Sequence, residues 1–220
     1  MAKPKSTQLK SGLIIPEPTL LTKSHLSIAN AFDNDKNLVI TGPAGTGKTF
    51  VSLWLSLQHA VNHRMNVKII RSLVPTRQVG HLPGTLDEKM EPYRAVYQSV
   101  INKICERDDG FEVLTKKEVL SFESTSFLRG ETFDNTIIIV DEFQNLNQME
   151  LHTIATRVGQ FSRIIFLGDL KQSDIPHETG FNFVLNTANK LPDLFEIIEI
   201  PSSEIVRSAF VKAWCEAVEN

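Results

Sequence analysis

Leu38-Val-Ile-Thr-Gly-Pro-Ala-Gly-Thr-Gly-Lys-Thr49 is a short apolar run followed by Gly42-x-x-x-x-Gly47-Lys48-Thr49. An amphipathic start, Phe50-Val-Ser-Leu-Trp-Leu-Ser-Leu, comes next. The order is strand, glycine-rich turn, helix, which is the setting a phosphate-binding loop needs. Glycines let backbone N–H groups converge on phosphate oxygens, and the helix N-terminus adds the positive end of its dipole. Gly42, Pro43, Ala44, Gly45, Thr46, Gly47, Lys48 and Thr49 are therefore the expected nucleoside triphosphate cradle. Lys48 is expected to reach the β- and γ-phosphates, and the Thr49 hydroxyl to ligate Mg²⁺.

Around this loop, short apolar runs alternate with helical stretches, the pattern of an α/β domain with a parallel sheet between helices. Strands are expected over 37–41, 66–71, 136–141, 163–167 and 195–200, with shorter candidates at 111–114 and 119–122. Helices are expected over 23–32, from the loop to 62, and over 93–106, 147–158, 181–189 and 203–219. Residues 72–92, with Pro75, Gly80, Pro83 and Gly84, read as loop. The run Thr136-Ile-Ile-Ile-Val-Asp141 is apolar on both faces and so belongs at the sheet centre.

That strand also supplies the loop's partner. Asp141 emerges at its carboxyl end, where ligands of open α/β sheets bind, and is expected to hold Mg²⁺ opposite Thr49. Glu142 follows as the candidate base for an attacking water. A second buried strand ends in Gly168-Asp169-Leu-Lys-Gln172, which makes Gln172 a candidate sensor of the γ-phosphate. Arg207, Arg129 and Arg77 are candidates to stabilise the transferring phosphoryl group, Arg207 foremost.

Composition restricts the remaining possibilities. A net charge of −3 argues against nucleic-acid binding through the bulk field, though not against a local basic strip. No apolar run is long enough to span a membrane, and no secretory leader pattern opens the chain. Cys105 and Cys215 are too few and too separated for a zinc set or a disulfide framework, so a reducing cytoplasm is expected. Residues 1–20 read as a mobile basic arm ahead of one domain over 21–220.

Gly42–Thr49, Asp141-Glu-Phe-Gln144 and Gly168-Asp-Leu-Lys-Gln172 together resemble motifs I, II and III of the superfamily 1 helicase core. The chain is more closely similar to the PhoH family of P-loop ATPases, in the compact form carried by bacteria and many bacteriophages. The likeness includes Gly80-His-Leu-Pro-Gly84, Phe127-Leu-Arg-Gly130, Thr156-Arg-Val-Gly159, Gly168-Asp-Leu-Lys-Gln-Ser-Asp-Ile-Pro176 and Glu204-Ile-Val-Arg207. It implies a RecA-like P-loop domain that binds ATP with Mg²⁺, assembles into a homo-oligomeric ring such as a hexamer, and works on RNA or single-stranded DNA. A location in the cytoplasm, the host's if phage-encoded, goes with it.

Family members often carry a Gln a few positions before the first strand, where helicases read adenine; the nearest match here is Ser24-His25. His-Pro after the last motif is replaced by Ser208-Ala209. Longer relatives add a nuclease or an RNA-binding domain; with the phosphate-loop strand beginning near Asn37 and a terminal helix reaching the last residues, neither is expected in these 220 residues. The cationic and aromatic mixture Arg71, Arg77, His81, Lys89, Tyr93, Arg94 and Tyr97 lies where helicase relatives contact nucleic acid, although Tyr93 and Tyr97 also fit the core face of a helix. Two other readings compete with an ATPase. One is a thymidine-type nucleoside kinase, invited by Asp141-Glu-Phe-Gln144 but lacking the cysteine set. The other is a nucleotide-dependent interaction module without turnover.

Overall fold

The computed structural model describes residues 14–71, 86–125, 130, 132–169 and 180–219. Six strands form one sheet: β1 (Asn37–Thr41), β2 (Asn66–Arg71), β3 (Leu120–Ser124), β4 (Thr136–Asp141), β5 (Arg163–Gly168) and β6 (Phe195–Glu199). Their order is β3-β2-β4-β5-β1-β6, and every pairing is parallel. The helices are α1 (Lys23–Asp33), α2 (Lys48–His63), α3 (Leu86–Ile104), α4 (Gly110–Lys116), α5 (Gln148–Ala155), α6 (Gly180–Asn189) and α7 (Ala209–Glu219). The α/β class and the central place of β4, buried along its whole length, are as the sequence predicts.

Two cores follow from the period of a strand, in which successive side chains leave opposite faces. Leu38, Ile40, Ile137, Ile139, Ile165 and Leu167 join one core, with Ile28 of α1, Leu53 and Leu57 of α2 and Ile101 of α3. Val39, Ile138, Val140, Ile164 and Phe166 join the other, with Leu151 and Ile154 of α5 and Phe181 and Val184 of α6. A sheet buried on both faces explains why these strands read as continuous aliphatic runs rather than alternating ones.

Several boundaries differ from the sequence reading. Phe111–Leu114 is not a strand but lies in α4; Phe111 and Leu114 are buried one helical turn apart, and a short apolar run does not distinguish the two states. α3 begins at Leu86 and contains Pro92, so the proline does not mark the end of the preceding loop. The last helix starts at Ala209, after a 3₁₀ turn over Ser202–Glu204. Of the expected basic arm, residues 1–13 lie outside the described residues. Its remainder is docked: Ile15 is buried, and Trp54 Nε1 of α2 donates to the Pro16 carbonyl at 2.7 Å.

Local chemistry sets two of the helix starts. Thr22 caps α1 by accepting from the His25 amide at 3.2 Å. At α5, Asn147 and Glu150 bond each other's backbone reciprocally, a capping box that contributes about 1 kcal/mol.

At the opposite edge of the sheet from the glycine loop, Arg163 is buried at the start of β5. It donates to the Phe32 carbonyl at 2.6 Å and to His59 Nε2 at 3.0 Å, and pairs with Asp35 at 3.3 Å. His59 must stay neutral to accept that bond. Burial, then the Arg163 cation and His63, hold its pKa down to about 4, from an ordinary 6.5. The folded state thus refuses a proton that the unfolded chain takes up. Stability is full above pH 6.5 and is lost as pH falls from there towards 4. For a partly buried ring the loss is about 1–2 kcal/mol. Urea unfolding at pH 7.5 and pH 4.5 should show a smaller decrease for His59→Leu than for wild type by that amount.

Candidate functional site

The carboxyl edge of the sheet gathers the polar ends of four strands. Arg71 is in register with Asp141, Asp141 with Leu167, and Thr41 with both Gly168 and Glu199. Above this edge is a cleft of about 490 Å³, lined by the glycine loop, Thr49, Arg71, Tyr97, Asp141, Glu142, Asp169 and Arg207, with Val96, Val100 and Lys103 of α3 as its outer wall.

The loop itself leaves β1 at Gly42, whose amide donates to Gly168 O at 3.3 Å, and enters α2 at Gly47. Gly45 and Gly47 have φ of +87° and +83°, a region costly for any side chain. Space at both positions is also tight. A Cβ on Gly45 would meet the Arg207 side chain at 3.0 Å, and one on Gly47 the His25 ring at 3.1 Å. Lys48 turns its ammonium into the loop, donating to Gly42 O at 2.5 Å and Pro43 O at 2.9 Å. Burial holds its pKa below the ordinary lysine range, opposed by the carboxylates of Asp169, Asp141 and Glu142.

Asp141 is buried and anchored by three donors. Tyr97 Oη donates to its Oδ2 at 2.7 Å, Thr49 Oγ1 to the same oxygen at 3.3 Å, and the Glu142 amide to Oδ1 at 3.0 Å. Burial and the Asp141 carboxylate push the Tyr97 phenol well above its usual range, so it remains a donor. Arg71 reaches the same phenol at 3.4 Å and lies 4.9 Å from the centre of the Tyr93 ring. Tyr97→Phe leaves the buried carboxylate short of its nearest donor. A fall of about 1–2 kcal/mol in unfolding free energy is expected, read as a lower urea midpoint at unchanged slope.

Glu142 adopts a left-handed conformation, φ +55°, at a cost of about 1–2 kcal/mol for a residue with a side chain. Burial and the adjacent Asp141 raise its carboxyl above the ordinary range; Gln144, Arg71 and Lys48 moderate the rise. Gln144 is fully buried, donating to Glu142 Oε2 at 2.6 Å and accepting from the Asp169 amide at 3.1 Å. It ties the end of β4 to the end of β5 and fixes where Glu142 points. The oxygen pair of Thr49 and Asp141 suits a hard divalent cation such as Mg²⁺, which keeps several waters and takes few protein ligands.

Of the residues that the sequence predicts as a site, the structure brings Ala44, Gly45, Gly47, Lys48, Thr49, Asp141, Glu142 and Arg207 to one cleft, while Gly42, Pro43 and Thr46 belong to the same loop without lining it. Gln172, Arg77 and Arg129 lie outside the described residues, as do His81 and the side chain of Lys89. Three contributors were not assigned to the site from sequence: Tyr97, Gln144 and His25. From sequence Tyr97 reads as a core tyrosine or as one of the aromatics set to meet nucleic acid, because its partner Asp141 is 44 residues away. Arg71 also faces this cleft, beside the buried Tyr97.

The sequence model of the PhoH-like proteins matches residues 19–219. The chain belongs to the PhoH-like family. A PhoH-like protein of Mycobacterium leprae is 29% identical, over 96% of this chain and 62% of its own length. That of Bacillus subtilis is 32% identical, over 81% of this chain and 57% of its own. The chain thus spans less than two thirds of these PhoH-like relatives. Among solved structures, the Pif1 helicase from Candida albicans is similar over 84% of this chain and 40% of its own, at 14% identity and a TM-score of 0.44. No helix among the described residues of this PhoH-like chain is long and apolar enough to cross a membrane.

Proposed function

We propose that this chain binds ATP with Mg²⁺ and hydrolyses it, acting as a cytoplasmic homo-oligomer on RNA or single-stranded DNA. One observation carries the hydrolytic reading. The hydroxyl that ends the glycine loop meets the carboxylate that ends β4, 92 residues further on, and Glu142 stands beside them in a shared cleft. The loop amides and Lys48 hold the phosphates. Thr49 and Asp141 hold the metal, which when bound neutralises charge on the phosphate oxygens. Glu142 takes the proton of the water that attacks the γ-phosphorus, while the bond to the β,γ-bridging oxygen breaks and ADP leaves with its electron pair. Gln144 positions Glu142, and Arg207 balances charge in the transition state from within its own chain. Gln172 keeps its place in this scheme as the γ-phosphate sensor, on the strength of its motif.

Support for self-association comes from α7, where Phe210 and Trp214 are 72% and 63% exposed beside Arg207. Exposed aromatic pairs of this kind suit an interface. The nucleic-acid part rests on the helicase-like motif set.

Phosphate release by the purified chain with Mg-ATP tests the reading, alone and with single-stranded RNA, single-stranded DNA or thymidine. Phosphate release stimulated by one of the nucleic acids is expected. Formation of thymidine phosphate would assign a kinase instead, and binding without turnover under every condition would assign an interaction module. Light scattering with and without nucleotide tests the oligomer.

A further inference from the structure

Two consecutive carbonyls of the loop are held, one by the segment that follows β6 and one by α1. The Val206 amide donates to the Gly45 carbonyl at 3.0 Å, and His25 Nε2 lies 2.8 Å from the Thr46 carbonyl. The tautomer follows from the second ring nitrogen. The Leu21 amide, which can only donate, points at His25 Nδ1 at 3.4 Å, so Nδ1 carries the lone pair and Nε2 the proton. His25 therefore donates to Thr46 O. The ring is 3% exposed and packs against Gly47, and it does not line the cleft.

In a trans peptide the C=O and the next N–H point in opposite directions. Holding the Thr46 carbonyl outward turns the Gly47 N–H inward, towards the anion, and holding the Gly45 carbonyl does the same for the Thr46 N–H. A glycine on either side makes these peptides free to flip unless something outside restrains them. We infer that His25 is a positioning residue of the phosphate cradle, which fixes the Thr46–Gly47 peptide with its N–H towards the phosphates and does not read the base. Both ring nitrogens are occupied, one by Leu21 and one by Thr46, so none is left for a nucleobase. The α1 end that carries His25 is itself fastened, since the Ser24 amide donates to Glu204 Oε2 at 3.0 Å. Glu204 and Val206 belong to the same segment, so the two restraints on the loop are joined to each other.

The inference rests on the triphosphate reading proposed above, and one experiment separates the two. Calorimetric affinities for ATP, GTP and inorganic tripolyphosphate, each with Mg²⁺, are measured on the full chain as wild type, His25→Phe and His25→Gln. Wild type binds all three. His25→Phe, which keeps the ring and loses the donor, weakens all three by one common factor of about tenfold. His25→Gln, whose amide N–H reaches the same carbonyl, restores affinity, an outcome that a general loss of packing would not produce. Should His25→Phe not fold, His25→Asn replaces it, because its amide is one methylene too short to reach. A loss confined to ATP or GTP with tripolyphosphate unaffected would make His25 a base reader and overturn the inference. Unchanged affinity in His25→Phe, or no rescue by His25→Gln, would also overturn it, with the triphosphate reading intact. Wild type that binds none of the three overturns that reading, and the inference with it.

Discussion

Glu142→Gln is expected to lower ATP turnover by about a thousandfold while nucleotide affinity stays nearly unchanged. The substitution is mild in shape. A glutamine oxygen still accepts from Gln144 Nε2, now at 2.6 Å, so the side chain keeps its direction and loses only its basicity. The sign of the pH dependence follows from burial, which lifts the Glu142 carboxyl above its ordinary range. Turnover must fall as pH drops through that raised value, at a higher pH than a free glutamate would give. The residual activity of Glu142→Gln must lack this acid limb. Single-turnover phosphate release across pH, with fluorescent-nucleotide binding alongside, measures both. Equal rates in the variant and wild type would remove Glu142 from the proton transfer. Lys48→Ala supplies the contrast, because an ammonium turned into the loop affects binding and turnover together.

Arg207→Ala is expected to cut turnover by a similar thousandfold or more with little loss of affinity. Its aliphatic stem crosses Gly45, in the middle of the loop of its own chain. The contribution is therefore expected within one chain. Mixing Arg207→Ala with Glu142→Gln should not recover activity, whereas an arginine acting across an interface would make active mixed sites. Recovery on mixing would place the decisive arginine elsewhere, and loss of affinity together with turnover would make Arg207 a binding group instead.

Much of this arrangement was legible in the chain because its signals are local. A strand buried on both faces must be apolar throughout, so β4 and β5 stand out, and the residues directly after such strands have to lie at the carboxyl edge. The glycine loop is likewise one continuous segment. The unread features join distant segments or rest on weak local patterns. Nothing near Tyr97 points to Asp141, and nothing near Gln144 reveals that it bridges Glu142 and the Asp169 amide. His25 matches no motif at its own position; its function depends on a carbonyl 21 residues away. The misreading of Phe111–Leu114 has a simpler cause, since an apolar pair three apart on a seven-residue helix looks like part of a strand. Pro92 misled because proline is normally a helix boundary, and α3 continues through it.

The knitting of the loop to residues near both ends of the described chain also bears on the order of assembly. Its restraints come from the Val206 amide and from an α1 tied to Glu204 across 180 positions of sequence. Contacts at such separation carry a high loop-closure cost and form after local ones. The glycine loop can therefore be synthesised early and still acquire its shape late. Competence to hold a triphosphate becomes a signature of the completely folded chain rather than of its first βα unit.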